Sequence, residues 1–248
     1  MLPLTRTEDV VYPDSDGNPM ADNTLQYEWM HTLKGNLDLL FAHRRDVFVA
    51  GDNLIYPVEG NPTIRLAPDV YAAFGRPKGY RGSYQVWKED GIFPQVVFEV
   101  LSPNNTRREM ETKREFYEEY GAEEFYILDP ERTRMAGYIL RDGTLEAVEH
   151  MDGWVSPRLE VRFERTDDDL ELFGPDGERF RTFVELGQLR LETAGRLKRQ
   201  VGRANRAQER AERERQRADE AERLREAEKA RAEKLAAKLR ELGIDPDA

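Results

Sequence analysis

The segment from Val96 to Pro130 constrains the fold of this chain more than any other part of the sequence. Two short apolar runs, Val96–Leu101 and Phe125–Leu128, flank a polar stretch of about four helical turns. Runs this short, rich in β-branched and aromatic residues and bounded by Pro or Gly, favour buried strands over helix. Strand, helix and strand at these lengths predict a right-handed crossover unit that joins two parallel strands of one sheet.

The polar stretch carries signals for both ends of a helix. Thr106 and Glu109 have the spacing of a capping box, in which each side chain accepts a backbone N–H of the other residue. Gly121 stands where the helix would end, and glycine readily adopts the left-handed conformation that closes a helix. We therefore expect one helix between these residues.

Apolar patterns predict the other elements of a mixed α/β domain. A stripe from Leu25 to Leu40 at helical spacing predicts a helix from about Asn23 to His43. Asp-Gly pairs that begin at residues 142, 152 and 176 are typical of hairpin turns and favour an antiparallel extension. Strands are expected at Val47–Ala50, Asn53–Val58, Ile64–Phe74, Arg134–Leu140, Leu145–His150, Leu159–Arg165 and Leu170–Phe173.

Composition divides the chain into three parts. Residues 1–22 contain three Pro and the turn-forming run Asp14-Ser15-Asp16-Gly17-Asn18, and they are expected to form a loop segment. Residues 23–182 hold the predicted strands and helices of a globular domain. Residues 183–248 are predicted to be a charged helical tail, which Thr182 and Glu185 begin with a second capping-box spacing.

The tail has the composition of a long helix with a weak coiled-coil seam. From Arg203 onward it is nearly all Ala, Glu, Arg, Lys and Gln, and acid-to-base pairs recur at helical spacing. Gln208, Arg215 and Glu222 interrupt the apolar seam, so the tail has two interpretations. We expect self-association, as a homodimer to which the globular domain contributes; a solvated single helix is the alternative.

Charge and composition exclude several classes of site. The net charge of −11 divides into +4 for residues 196–248 and −15 for the remainder, which argues against broad adhesion to nucleic acid. The sequence has no Cys, which excludes thiolate chemistry. It has three His, none of which is spaced from another as metal ligands are, so a histidine-rich metal site is disfavoured. No apolar stretch has the length of a membrane span or of a signal peptide core, so we expect a soluble cytoplasmic protein.

The segment 76–91 interleaves basic and aromatic side chains. Such a mixture suits phosphate contacts combined with base stacking, but it also suits a surface loop held in place by its aromatic residues. Both interpretations stay open. The candidate nucleic-acid contacts are Arg76, Lys78, Arg81 and Lys88.

Three charged residues form a candidate metal site. Glu99 places a carboxylate inside an apolar strand, where an unpaired charge is costly. Asp69 opens another predicted strand, and Lys113 lies on the helix that follows Glu99. If the two strands are neighbours, both carboxylates converge on a position suited to Mg²⁺, and the lysine could orient water or offset charge in a transition state.

The same residues carry a resemblance to a known family. Pro68-Asp69-Val70 is followed about thirty residues later by the run from Val96 to Asn105. Glu109, Lys113, Tyr117 and Gly121 then follow at steps of four, and Asp129-Pro130 closes the series. This series resembles the Uma-type restriction endonucleases, a bacterial family of the PD-(D/E)XK nuclease superfamily, over about residues 20–175. The resemblance implies a restriction-endonuclease-like α/β core in residues 23–182 and hydrolysis of DNA with Mg²⁺, for which Mn²⁺ can substitute.

The resemblance also implies roles for single residues. Asp69 matches the first motif acid and Glu99 the second, and both would hold the metal ion. The superfamily lysine would stand at Leu101, so the sequence departs from the pattern there; Lys113 matches the position to which Uma-type proteins move it. Glu109 matches an acidic position of the family but also has its capping role. Glu28 matches the acid that many of these nucleases carry on their first helix.

Two other functions stay open from the sequence. The first is a nuclease-like protein that binds nucleic acid or a partner without cleaving it and assembles through its tail. The second is a coiled-coil assembly protein whose globular part is only a cap. The acidic surface and the displaced lysine support the first alternative.

Overall fold

Six strands form one mixed sheet in the part of the chain that the structure, a computed structural model, describes: residues 10–15, 17 and 20–241. Parts of the predicted N-terminal loop, residues 1–9, 16 and 18–19, lie outside it, as do residues 242–248 at the end of the tail. Contacts divide the chain into two units, Met1–Leu186 and Gly187–Ala248. No helix in the described ranges is long and apolar enough to cross a membrane.

The first unit contains two helices and all the described strands, and a third helix begins near its end. The helices are α1 (Thr24–Leu40), α2 (Arg107–Tyr120) and α3 (Phe183–Glu241). The strands are β1 (Val47–Ala50), β2 (Ile55–Tyr56), β3 (Val70–Phe74), β4 (Tyr84–Gln85), β5 (Val96–Val100), β6 (Glu124–Asp129), β7 (Arg134–Arg141), β8 (Thr144–Ala147), β9 (Arg162–Arg165) and β10 (Leu170–Phe173).

The predicted mixed α/β fold class is confirmed. The sheet has the order β1-β3-β5-β6-β7-β8, and β5 and β6 are the parallel pair joined by α2. The other neighbours in this sheet are antiparallel. A β9–β10 hairpin and a short parallel β2–β4 pair form two smaller sheets.

The two ends of α2 have the expected chemistry. The Thr106 hydroxyl accepts the backbone N–H of Glu109 at 3.2 Å, and the Glu109 carboxylate accepts the backbone N–H of Thr106 at 3.4 Å, so the capping box is complete. Gly121 ends the helix with φ of 101°, a conformation that a side chain would strain. These two local signals define the helix that carries part of the site.

Alternating side chains of β5 face two separate cores. Val96, Phe98 and Val100 pack in a core that includes α1. Val97 points to the other face, into a core with Met110 and Tyr117 of α2. Because side chains alternate along a strand, Glu99 shares the face of Val97 and therefore lies under α2.

Several predicted strands are shorter in the structure. The strand expected at Asn53–Val58 is limited to Ile55–Tyr56, and the one expected from Leu159 begins at Arg162. Glu160 has a positive φ of 56°, which interrupts extended backbone there. The predicted elements occur in the expected order, and the short strand β4 lies in the segment 76–91, where no strand was predicted.

The helix α3 begins at a complete cap and is long. The backbone N–H of Thr182 donates to the Glu185 carboxylate at 2.8 Å, and the backbone N–H of Glu185 donates to the Thr182 hydroxyl at 3.3 Å. The helix spans 59 residues, and most of its described side chains are exposed, including Leu197, Val201 and Leu224.

Candidate active site

Glu99 is a buried carboxylate with a partner on each oxygen. Its side chain lies in the middle of β5 and is 2 % exposed. The Lys113 ammonium donates to Oε2 at 2.8 Å, and the Tyr117 hydroxyl donates to Oε1 at 2.5 Å. The charge that the sequence placed inside an apolar strand is therefore paired and hydrogen-bonded, as burial requires.

Helical periodicity explains why both partners come from α2. Lys113 and Tyr117 are four residues apart, so they project from the same face of the helix, one turn from each other. Because α2 connects the parallel strands β5 and β6, this face of the helix packs on those two strands. Glu109, one further turn toward the N-terminus, is engaged in the cap, and its Oε1 accepts from Asn105 at 3.2 Å.

Asp69 meets this cluster from the neighbouring strand. Val70 pairs with Phe98 across β3 and β5, and continuing the antiparallel register by one residue places Asp69 opposite Glu99. Oδ2 of Asp69 accepts the backbone N–H of Val100 at 2.6 Å. Asp69, Glu99 and Lys113, which the sequence analysis grouped as one site, are thus brought together.

The proximity of the two acids affects the protonation of Asp69. Burial, reinforced by the negative charge of Glu99, raises the pKa of Asp69 to about 8. The hydrogen bond from Val100, the charge of Lys113 and a hydrogen bond with Gln26 act in the opposite direction but are smaller. Carboxylate repulsion of this kind is what a bound cation would relieve.

Lys113 keeps its proton in this environment. Burial alone would lower the pKa of its ammonium group, but the charge of Glu99 and the hydrogen bond to it outweigh burial, so the pKa lies above its ordinary value. Lys113 is accordingly a cation at neutral pH and is suited to stabilise negative charge, not to act as a base.

Gln26, not Glu28, is the α1 residue at the site. The Gln26 amide is buried and donates to the Val100 carbonyl at 2.9 Å, next to Asp69. Glu28 is exposed and lines a different pocket with Trp29 and Arg179. The structure thus places Glu28 apart from the cluster, because two residues along a helix correspond to about 200° of rotation.

A close backbone contact supports the position of Asp69. Gly51 follows β1, and a Cβ atom at this position would lie 2.3 Å from the carbonyl oxygen of Asp69. Next to it, the backbone N–H of Asp52 donates to the Pro68 carbonyl at 3.0 Å. A pocket of about 150 Å³ opens beside Asp69, lined by Met20, Met30, His31, Lys34, Gly51 and Asp52.

The segment 76–91 is largely engaged in internal contacts. Arg81 forms a two-pronged ion pair with Glu89, at 2.6 and 3.0 Å, and its guanidinium lies 3.9 Å from the centroid of the Phe48 ring. Arg76 contacts the same carboxylate at 3.2 Å, and both arginine side chains are 12 % exposed.

The two lysines of this segment differ in their surroundings. Lys78 donates to the Phe41 carbonyl at 2.7 Å. Lys88 is exposed, and no ion pair within residues 20–241 engages its ammonium group. The structure therefore favours the structural interpretation for Arg76 and Arg81 and leaves Lys88 available to a ligand.

Comparison with known proteins identifies the family. The Uma2 model, described as "Putative restriction endonuclease", matches residues 17–170, more than half of the chain. The chain belongs to the Uma2 family. The resemblance stated from the sequence is thus confirmed, and with it the assignment to a family of nucleases.

A solved structure and the curated proteins complete the comparison. The chain is similar to a structure titled as a putative nuclease belonging to DUF820 from Anabaena variabilis, with 11 % identity and a TM-score of 0.42. That similarity covers 54 % of this chain and 72 % of the other. No curated protein matches.

The donor set of this Uma2-family site fits a hard divalent cation with few protein ligands. Within the described ranges no group of three or more His, Cys, Asp or Glu residues could hold a metal ion. Asp69 and Glu99 supply two carboxylates, which is the number that Mg²⁺ commonly takes when water and substrate phosphate complete its shell. Each carboxylate oxygen has two lone pairs, so Glu99 can keep its hydrogen bonds and still coordinate an ion.

Sequence reasoning missed two members of the cluster. Tyr117 belongs to the family series, and its spacing of four from Lys113 is the sequence signal that places both on one face of the helix. Gln26 had no signal, because its contact with Val100 spans 74 residues and depends on how α1 packs on the sheet.

Proposed function

We propose that this Uma2-family chain hydrolyses phosphodiester bonds in DNA with Mg²⁺, or with Mn²⁺ in its place. One observation carries the proposal. Asp69 and Glu99 approach each other from adjacent antiparallel strands, and Lys113 contacts Glu99 at 2.8 Å. Two carboxylates and a protonated lysine are a minimal set for metal-assisted phosphodiester hydrolysis.

Asp69 and Glu99 are the residues that would hold the ion. When bound, the ion polarises the phosphodiester and lowers the pKa of a coordinated water molecule. Asp69 is the more accessible ligand, since it is half-buried and borders the pocket next to α1. Glu99 would be the more buried of the two ligands, and two hydrogen bonds orient its carboxylate.

Lys113 contributes positive charge next to the reacting phosphate. Its raised pKa keeps it protonated, so it donates hydrogen bonds and offsets the negative charge that develops on the phosphate oxygens. Leu101 occupies the position where the superfamily pattern has its lysine, and Lys113 reaches Glu99 from α2 instead. The ammonium group thus comes from α2 and not from the strand, but it contacts Glu99, the second acid of the superfamily pattern.

DNA would approach an acidic body through a few local cations. The net charge of −15 outside residues 196–248 opposes broad binding of a polyanion, so the ion and Lys113 must supply much of the attraction. Lys88 is the member of the segment 76–91 that we assign to a phosphate contact. Arg76 and Arg81 are assigned to holding Glu89.

We also propose that the chain forms a homodimer, with α3 as part of the interface. Its 59 residues correspond to a length of about 90 Å. Apolar residues along it, including Leu197, Val201 and Leu235, are exposed in the single chain. A second copy would cover some of this apolar surface, while the polar seam positions keep the association weak.

Cleavage of varied DNA substrates with Mg²⁺ or Mn²⁺ tests the proposal, with RNA as a parallel substrate. We expect the parent chain to cleave DNA and Glu99→Gln to lose cleavage. Glu124→Gln is the matched control, since Glu124 is equally buried and hydrogen-bonded but lies at the start of β6 and contacts Ser156 and Tyr126. Binding of DNA without cleavage by the parent chain would support the non-cleaving alternative, and equal cleavage by Glu99→Gln would place the site elsewhere.

A further inference from the structure

Tyr117 is the most enclosed member of the acidic cluster. Its side chain is fully buried, and its ring packs against Phe125 and Phe116 at centroid distances of 5.1 and 5.9 Å. The hydroxyl group donates to Oε1 of Glu99, and the bond joins two buried groups. A ring held by neighbours on the same helix and on β6 cannot follow the carboxylate if that carboxylate moves.

The two partners of Glu99 differ in how firmly they are held. Lys113 reaches Oε2 on a long flexible side chain that is 17 % exposed, and an ammonium group can exchange one oxygen partner for another. Tyr117 has a rigid ring with no exposed surface. During phosphodiester hydrolysis Lys113 must share its charge with the phosphate, whereas the buried Tyr117 hydroxyl stays directed at Glu99.

We propose that Tyr117 is a positioning residue that fixes the Glu99 carboxylate for the metal ion. This inference rests on the proposed function, and it adds a role that the paired acids and the lysine do not supply. By holding Oε1, Tyr117 limits rotation of the carboxylate and keeps Oε2 facing Lys113, so that Glu99 would be oriented to hold an ion together with Asp69. Removing a group that hydrogen-bonds a metal ligand in this way commonly lowers metal affinity by about 10- to 100-fold.

A second tyrosine–glutamate pair provides a matched control. The Tyr126 hydroxyl donates to Oε2 of Glu124 at 2.9 Å, and both residues are buried. Tyr126 packs in the other core, on the face of the sheet away from α2, and Glu124 has Ser156 and the backbone of Arg158 as partners in place of a lysine and a second acid. Removing its hydroxyl breaks the bond to Glu124 and also the bond from the Trp154 indole N–H, which Tyr126 accepts at 3.1 Å, so Tyr126→Phe is at least as costly to the fold as Tyr117→Phe while leaving the site untouched.

Calorimetric titration of the full chain with Mn²⁺ tests the proposal. We expect Tyr117→Phe to raise the Kd for Mn²⁺ by about 10- to 100-fold and Tyr126→Phe to leave this Kd unchanged. Thermal unfolding without metal should show both variants folded with lowered midpoints, which separates loss of a hydrogen bond from loss of the site. If Tyr117→Phe fails to fold, Tyr117→Met fills the space without a hydroxyl and replaces it in the titration.

Cleavage at increasing Mn²⁺ concentration gives an independent readout. A positioning role predicts that the activity of Tyr117→Phe approaches that of the parent chain as Mn²⁺ saturates the weakened site. A Kd for Tyr117→Phe equal to that of the parent chain would overturn the inference and leave the proposed function standing. If the parent chain itself binds no Mn²⁺, the proposed function fails and the inference fails with it.

Discussion

The ammonium group of Lys113 lies 2.8 Å from Oε2 of Glu99, across a separation of 14 residues that spans a loop and two turns of helix. This ion pair offsets the unfavourable free energy of burying the Glu99 carboxylate inside an apolar strand. The buried Glu99 carboxylate of β5 is therefore neutralised by a side chain of α2. The same contact contributes to the candidate site and to the stability of the sheet.

Lys113→Ala should separate catalysis from metal binding. Without the ammonium group, cleavage should fall by a factor on the order of 10²–10³, because one transition-state contact is lost. Mn²⁺ should still bind to Asp69 and Glu99. Stopped assays of cleavage and calorimetric titration measure the two properties; loss of both together would mean that Lys113 is required to form the site.

The same variant should be less stable when metal is absent. Removing Lys113 leaves Glu99 buried with only the Tyr117 hydroxyl as a partner, which costs on the order of 3 kcal/mol in the free energy of unfolding. Mn²⁺ should restore part of this loss, since it binds only the folded chain. Urea unfolding with and without Mn²⁺ measures both effects, and Arg44→Ala, which removes an exposed ion pair with Asp46 at the far end of β3 from Asp69, is the control.

Asp69 should make the metal-free protein less stable as the pH rises. Its pKa is about 8 in the folded chain and near 3.9 when unfolded, so between these values the folded state binds the extra proton. Stability from this group is therefore complete below about pH 4 and is lost as the pH rises toward 8, by at most about 1.4 kcal/mol per pH unit. Asp69→Asn should flatten this dependence and abolish Mn²⁺ binding.

Urea unfolding at pH 5, 7 and 9 measures the difference between Asp69→Asn and the parent chain. Asparagine retains an oxygen that can accept the Val100 N–H, so the comparison isolates the charge. An advantage of Asp69→Asn that grows with pH is expected. A constant difference across the three pH values would show that Asp69 titrates as an ordinary exposed carboxyl.

Gly51→Ala should disturb Asp69 through the backbone. The new methyl group would overlap the Asp69 carbonyl oxygen at 2.3 Å, so the start of β3 must shift, at a cost of about 1–3 kcal/mol and with weaker Mn²⁺ binding. Gly35→Ala is the control, since it lies in α1 with open space around it and should be neutral or stabilising by up to about 1 kcal/mol. Equal behaviour of the two variants in thermal unfolding would contradict the close contact.

Lys88→Ala and Arg81→Ala should affect DNA binding for different reasons. Removing Lys88 should weaken binding and lower the salt slope of log Kobs by about 1, with the fold unchanged. Removing Arg81 leaves Glu89 with Arg76 as its remaining cation, so the loss is that of charged hydrogen bonds and should destabilise the chain by about 1.5–3 kcal/mol. Fluorescence anisotropy over a range of salt, combined with thermal unfolding, distinguishes the two; an unchanged slope for Lys88→Ala would exclude its phosphate contact.

Sedimentation should show that α3 contributes to self-association. We expect the full chain to form a dimer at micromolar concentration and a chain ending at Leu186 to associate more weakly. The Ala-rich and partly polar seam limits what the helix supplies, so the globular unit should retain a residual tendency to dimerise. A concentration-independent monomer for both forms would end this proposal.

The amino-acid sequence alone predicts most of the elements and groups Asp69, Glu99 and Lys113 as a candidate site. Thr106, Glu109 and Gly121 mark the ends of α2 through contacts within about four residues, so a linear pattern contains all the information they need. Asp69, Glu99 and Lys113 were found because a charge inside an apolar run is conspicuous and because the run resembles a family motif.

Only the tertiary structure decided which side chains meet across the sheet. Arg81 is directed inward to Glu89 and not outward to a phosphate, although the sequence permits both. Gln26 replaces Glu28 at the site because the packing of α1 on β5 sets which face of that helix is buried. Such contacts depend on strand register and helix rotation, where a shift of one residue turns a side chain to the other face, and local sequence does not encode that choice.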